Sequence, residues 1–318
     1  MAAKDLITLA RAKQDIQSIT DTSQDALLGV LITAYSEGIE KYCRRRFVST
    51  TFDELYNGTG DRRLLLRQYP IQSVRWVRYR PVTVLKIQNT NLNLNQRATV
   101  RVTSTGLNLE RVASGVLTND TSVTWAGNVT INAVSTAVNA LGNGWAAQIV
   151  GDAGVGVGST GDYGLWPSAD LYVPPSYGDG VESQGALTAR GTFAELKMHT
   201  YELQGYQWDP RGWLLRAIPY TDPELLHPED LVWPVGVNNF RVQYTAGYTT
   251  VPEAVQEACA LWVAQAYQYT LRDPHLQAQA LPQMQSLRWR ELDPLNPPAL
   301  VRSLLAPYRR HSIDTNQG

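Results

Sequence analysis

Cysteine is almost absent: Cys43 and Cys259 are the two in 318 residues, too few for a disulfide framework. Both fall in helical patterns among apolar neighbours, which predicts reduced, buried thiols and an intracellular site of synthesis. No apolar run approaches the ~20 residues that a membrane span needs, so no membrane partner is expected. The opening "MAAKDLITLARAKQDI" is broken by charges every few residues and does not read as a signal peptide. Neither sign of charge dominates. Lys and Arg number 28 against 29 Asp and Glu, and a net charge of −1 gives no global case for nucleic-acid binding. What is present is a folding composition, 43% hydrophobic and 18% charged.

Enzymatic signatures are equally scarce. There is no P-loop, no H-E-x-x-H and no C-x-x-C. The histidines at 199, 227, 275 and 311 have no second His or Cys at ligand spacing, so no metal is expected. The sharpest match is Gly156-Val157-Gly158-Ser159-Thr160-Gly161, formally G-x-G-x-x-G after the extended "WAAQIV". A dinucleotide site needs a helix opening there, so that its amides face the pyrophosphate. Here "DYGLWPSADLYVPP" follows, with glycine and prolines in the helix position, and a plain loop is the better reading. No cofactor, no catalytic residue and no enzymatic activity are expected. Asn57-Gly-Thr59 and Asn128-Val-Thr130 fit the glycosylation pattern by chance.

Periodicity organises the rest. Thr8 is placed to cap a short helix carrying Leu9, Ala12 and Ile16. After "TDTSQD" a longer helix begins, capped by Asp21 or Ser23, with Leu27, Val30, Leu31, Ala34, Gly38 and Tyr42 on one face. It ends in "KYCRRRF", where cations suit the negative end of the helix dipole. "LLLRQYPIQSVRWVRYRP" reads as two extended segments, broken at Pro70 and ending at Pro81, with a slip in alternation around Arg75 to Tyr79. From residue 82 to about 195 charge thins, and alternating pairs recur between turns: Leu92/Leu94, Val100/Val102, Leu107/Leu109, Val123/Trp125 and Val129/Ile131. That spacing predicts a small antiparallel sandwich or barrel, with one helix at "AVSTAVNALGNG". Residues 195–235 carry Tyr201, Tyr206, Trp208, Trp213, Tyr220 and Trp233 among five prolines (210, 219, 223, 228 and 234), which argues against long regular elements.

Two local features bear on function. Between Lys41 and Arg80 stand ten Lys and Arg against three acids. This basic patch, centred on Arg44, Arg45, Arg46, Arg75 and Arg78, would meet DNA or an acidic partner. The second feature is "RVQYTAGYTTVPEAVQEACALWV". Phe240, Val242 and Tyr244 alternate with polar residues as a half-buried strand, and Gly247 permits a sharp turn. Thr250-Val251-Pro252-Glu253 spells a capping box before a helix on which Val255, Ala258, Cys259, Trp262, Ala266 and Tyr269 share a face. Gly247, Thr250, Pro252 and Glu253 therefore form a structural elbow.

The order of pieces resembles the head–tail connector, or head-completion adaptor, family of tailed bacteriophages. The resemblance rests on "DLITLARAKQDI", "SQDALLGVLITAYSEGIEKYCRRRF" and "LLLRQYPIQSV" at one end, and on "YTAGYTTVPEAVQEACALWVAQAYQY" and "LLAPYRR" at the other. It covers roughly residues 5–80 and 238–310; typical members are much shorter and have no counterpart to the middle. It implies a structural virion protein at the neck, made in the host bacterial cytoplasm. Subunits would form a ring, usually dodecameric, that joins the portal protein to a tail or stopper protein and passes double-stranded DNA through its channel. The expected fold is α+β. A helical adaptor module is built from both chain ends (1–81 and 236–295), a β-rich insertion domain occupies 82–235, and an extended C-terminal arm follows at 296–318. In the family the arm docks into the portal. Leu300, Val301, Leu304, Leu305 and Tyr308 here offer a sticky face before Arg309 and Arg310. An insertion of this size would crowd a channel, so it is expected on the outside. The alternative drawn from the aromatic block is a carbohydrate- or surface-binding β module of a phage particle.

Overall fold

The computed structural model describes residues 4–16, 22–150, 162–171, 186–217, 232–270, 278–279, 287–288 and 297–310. The elements run in chain order as helices α1 (Leu9–Asp15) and α2 (Asp25–Cys43), then strands β1 (Thr50–Gly58), β2 (Arg63–Leu65) and β3 (Ile71–Asn89). Next come β4 (Asn95–Val102), β5 (Leu107–Ala113), β6 (Val116–Asp120), α3 (Ile131–Ala140), β7 (Trp145–Ile149) and α4 (Asp162–Leu165). Strands β8 (Leu187–Thr188), β9 (Ala194–Glu202), β10 (Tyr206–Asp209), β11 (Trp213–Arg216) and β12 (Gly236–Ala246) follow. The chain then passes through α5 (Glu253–Thr270), the two-residue strands β13 (Ala278–Gln279) and β14 (Leu287–Arg288), and α6 (Ala299–Leu305). No described helix is long and apolar enough to cross a membrane.

The chain divides into two units. One is mainly helical and comprises Met1–Thr50, Arg67–Pro70 and Ala246–Gly318; the other is β-rich and comprises Thr51–Leu66 and Ile71–Thr245. The α+β class is as expected, but the division differs from the expected 82–235. β1, β3 and β12 pair with one another, so they fold with the β-rich unit and leave the helical unit only short connecting pieces.

In the helical unit α5 is the central element. Val255, Ala258, Cys259, Ala260, Trp262, Val263 and Tyr267 are all buried, which covers most of its circumference. Against it pack α1, α2 and α6. Thr8 caps α1 as its position predicts, its hydroxyl accepting from the Arg11 amide at 3.2 Å. α2 turns a different face inward from the expected one: Leu28, Ile32, Ser36, Ile39 and Cys43 are buried, whereas Val30 is 67% exposed and Leu27, Leu31 and Tyr42 are only partly covered. This helix is apolar around much of its girth, so two stripes satisfy the 3.6-residue period and packing chooses between them. Gly38 lies against Trp262, where a Cβ would stand 3.4 Å from the ring, at the edge of ordinary van der Waals contact. Neither Asp21 nor Ser23 caps α2; its N-cap is Gln24, with no side-chain cap bond.

The β-rich unit contains an open five-stranded sheet in the order β1-β12-β3-β7, with β9 also on β3, and a four-stranded sheet β6-β5-β4-β8. A third sheet, β10-β11-β2, has three strands, and among the described residues no sheet closes into a barrel. β3 does not end at Pro81. It runs on to Asn89, with Pro81 opposite His199 and a register shift between Thr83 and Leu85. Arg80 has φ +62°, so the proline sits at a kink in the strand. Trp76 and Val77 are both buried, which is where the alternation slips. Val84, Leu85, Ile87, Val100, Leu109, Ile131, Val134, Val138 and Leu196 contribute to one core under α3. Val100/Val102 and Leu107/Leu109 lie in strands as expected, whereas Leu92 and Leu94 are exposed in a turn and Val123 and Trp125 are buried outside any strand. Thr130 caps α3 through the Ala133 amide at 3.2 Å.

Candidate functional site

α6 places the C-terminal segment. Its inner face is fixed on the helical core: Val301 and Leu305 are 2% and 0% exposed, and Leu304 and Tyr308 pack beside them. The Tyr308 ring stands 6.1 Å from that of Phe47. Leu300 alone among the five apolar residues is turned out, at 61% exposure. Residues 297–310 are therefore no extended arm, and the face expected to dock into a partner is occupied within its own unit. The physical reason is that α5 offers apolar surface on several sides, and the sticky stripe of α6 covers one of them. Residues 311–318 lie outside the described residues.

The five arginines expected to form one basic patch are divided between the two units. Arg44, Arg45 and Arg46 belong to the helical unit, and Arg75 and Arg78 to the β-rich one. Arg45 is 2% exposed. Its guanidinium lies over the rings of Tyr69, Phe47 and Tyr248, at 4.0, 5.3 and 5.4 Å from their centroids, and donates to the Tyr69 carbonyl. Arg46 pairs with Glu40 at 2.8 Å, while the other Glu40 oxygen accepts the Phe47 amide. Burial pushes the Glu40 carboxyl up, and Arg46 and the Phe47 amide oppose that rise. Arg75 donates to Gln243, and Arg78 pairs with Asp170 at 2.7 Å while lying over Trp76. Each of these four cations is engaged inside its own unit, and Arg44 alone is both exposed and unpaired with any described residue.

At the elbow Gly247 takes φ +109°, and a Cβ there would meet the Val48 carbonyl at 2.7 Å. Its amide donates to Pro70 O, and the Tyr248 amide to Phe47 O. The capping box does not form. α5 begins at Glu253, the Pro252 carbonyl accepts from Val255 and Gln256, and Gln256 Nε2 donates to Val251 O. The Glu253 carboxylate faces Arg11 at 3.2 Å instead of reaching back to the Thr250 amide.

Both cysteines are buried and free, and burial pushes each thiol up to about 12. His199 is buried; Nε2 of its neutral ring donates to Asn238 O at 2.9 Å, and burial, with Arg241 and Arg78 adding repulsion, pushes it down to about 4. Among the described residues, no three His, Cys, Asp or Glu side chains could hold a metal ion. The Gly156–Gly161 loop, Tyr220, His227, His275 and His311 lie outside them. Of the aromatic block, Trp233 is fully buried and donates Nε1 to Arg62 O, whereas Tyr201 and Trp208 are 59% and 38% exposed. A buried polar cluster in the β-rich unit had no sequence signal. Arg241, on the side of β12 expected to face solvent, is 3% exposed and forks onto both Asp53 oxygens at 2.8 Å.

No family model matches the chain, and no curated protein matches it. Solved structures do. A chain of a structure described as the neck of an empty GTA particle computed with C6 symmetry aligns with 12% identity and a TM-score of 0.35, over 100% of this chain and 96% of that one. A chain from the virion of a native gene transfer agent particle aligns with 12% identity and a TM-score of 0.34, over 98% and 94%.

Proposed function

We propose that this chain is a non-enzymatic structural protein of the neck of a tailed-phage-type particle: an adaptor whose copies form a ring between the portal protein and a tail or stopper, around the path of the DNA. The observation that carries the reading is the helical unit. The N-terminal helices and the C-terminal helices that bear most of the family resemblance lie far apart in sequence. They fold around one core, in which Leu28, Ile32 and Ile39 of α2 meet Val255, Trp262 and Val263 of α5 and Val301 and Leu305 of α6. A module assembled from both ends, with a β-rich domain between them, is what an adaptor carrying an insertion requires. The two gene-transfer-agent structures come from a neck and a virion, but likeness at those TM-scores is too slight to add weight. Because the α6 face is covered, docking to a portal falls to the exposed side of that segment, where Leu300 stands, or to other surfaces.

The test is electron microscopy of the purified protein mixed with the portal encoded beside it. The expected result is ring-shaped density added at the portal's outer end. Monomers that never join the portal would remove this reading, and glycan binding by the same monomers would favour a surface-binding module through Tyr201 and Trp208.

A further inference from the structure

Most of the arginines centred in the sequence patch are engaged inside the fold, but Lys41 and Arg44 stay exposed and the fold adds to them a cation from the far end of the chain. α2 ends at Arg44, whose φ of +55° closes the helix and whose amide bonds to the Glu40 and Lys41 carbonyls. The last described turn of the chain returns to this helix end. Arg309 lies over the Tyr42 ring with its guanidinium carbon 5.1 Å from the centroid, and the Arg310 amide donates to Cys43 O at 2.9 Å. Arg310 Nη1 donates to Arg67 O at 2.9 Å. Lys41, Arg44 and Arg309 are exposed, and none is in an ion pair with a described residue.

Two magnitudes separate this cluster from ordinary helix-end chemistry. The C-terminus of a helix carries about half a negative charge, which one cation already offsets. Three exposed cations stand here with Arg310 beside them. Glu40, the carboxylate within this turn, is buried and paired with Arg46. Glu37, one turn back, is exposed and makes no ion pair with Lys41. Apolar content separates the candidate partners. Protein interfaces are centred on exposed apolar or aromatic anchors. Among the described residues, the large exposed apolar residues of the helical unit are Val30 and Leu300. Val30 lies roughly 16 Å back along α2 from Lys41, and Leu300 stands at the opposite end of α6, roughly 13 Å along the chain axis from Arg309, at the ordinary helical rise. Cations without an apolar anchor match phosphate contacts, which need charge and hydrogen-bond donors alone.

We propose that Lys41, Arg44 and Arg309 form a composite, sequence-independent site for the phosphate backbone of double-stranded DNA. This deepens the adaptor reading, since it gives the helical unit a surface for the DNA that passes it. The test is fluorescence anisotropy of the full chain with a labelled duplex across a salt series. Three phosphate contacts predict a slope of log K against log salt of about −3, with no preference between unrelated sequences. The triple variant Lys41→Gln, Arg44→Gln, Arg309→Gln brings the slope close to zero and weakens binding at least tenfold at about 50 mM salt. Arg302→Gln, an exposed cation on α6, leaves both unchanged. Should the triple variant fail to fold, Lys41→Gln alone decides, with an expected loss of about one unit of slope. An unchanged slope in the folded variant overturns the proposal. So does polyglutamate that binds wild type more tightly than duplex does, which would assign the patch to an acidic protein. Because the measurement uses the free protein, loss of DNA binding leaves portal attachment standing, and failure to join the portal leaves the DNA site standing.

Discussion

The two units keep polar groups in different ways. The helical unit is a mainly apolar core with one deeply buried guanidinium, Arg45, caged by aromatic rings and a carbonyl. The β-rich unit buries whole polar clusters. Arg241 is clasped by Asp53 and also donates to the Asp170 carbonyl. Glu54 accepts from the hydroxyls of Tyr56 and Tyr244. Asn95 donates to Asn89 Oδ1 at 2.8 Å and to Asn143 O at 2.9 Å. Helices satisfy their backbone internally, so side-chain identity along a stripe is enough to place them. Strands leave register open, and directional polar contacts between distant strands help to fix it. The difference teaches where each unit is vulnerable: the helical one to changes of volume and the β-rich one to loss of a partner.

The largest effect is expected from Asp53→Ala. It strands a guanidinium that is 3% exposed and costs about 3–5 kcal/mol. Denaturant unfolding should show the loss in the β-rich unit, with the helical signal little changed at low denaturant. An Asp53→Ala protein of wild-type stability would show that the clasp does not hold this unit.

A smaller effect concerns pH. His199 titrates near 6.5 when unfolded and near 4 when folded, so below 6.5 the unfolded chain takes up a proton that the native one refuses. Its contribution is complete above pH 6.5 and is lost as pH falls toward 4, up to about 3 kcal/mol in all. The stability of wild type relative to His199→Gln should fall across that window as acid is added. Parallel curves would contradict the burial of this ring.

The smallest effect tests the helical unit by its caps. Thr8→Ala removes an observed cap and should cost about 1 kcal/mol, whereas Thr250→Ala, exposed and outside α5, should change stability by less than about 0.5 kcal/mol. Equal losses in thermal melts would restore the capping box at Thr250.

Much of the helical unit is legible in the sequence. The Thr8 cap, the extents of α2 and α5 and the turn at Gly247 all follow from spacing and side-chain chemistry, as does the burial of Phe240, Val242 and Tyr244 in the β-rich unit. The inward face of α2 is not, because Leu27/Leu31 and Leu28/Ile32 fit the period equally and only packing against the rest of the helical core separates them. The passage of β3 through Pro81 is not either, since it rests on pairing with β9 more than a hundred residues later.

By itself the sequence determined the main helices, the mixed α+β class and the order of pieces on which the adaptor reading stands, because these depend on local periodicity and turn chemistry. Tertiary structure alone decided which charges are available. Arg45 and Arg46 are consumed inside the fold, α6 covers its own apolar stripe, and Arg309 returns to lie over Tyr42 at the end of α2. Charge acts through space, and proximity between residues so far apart in the chain is set by packing.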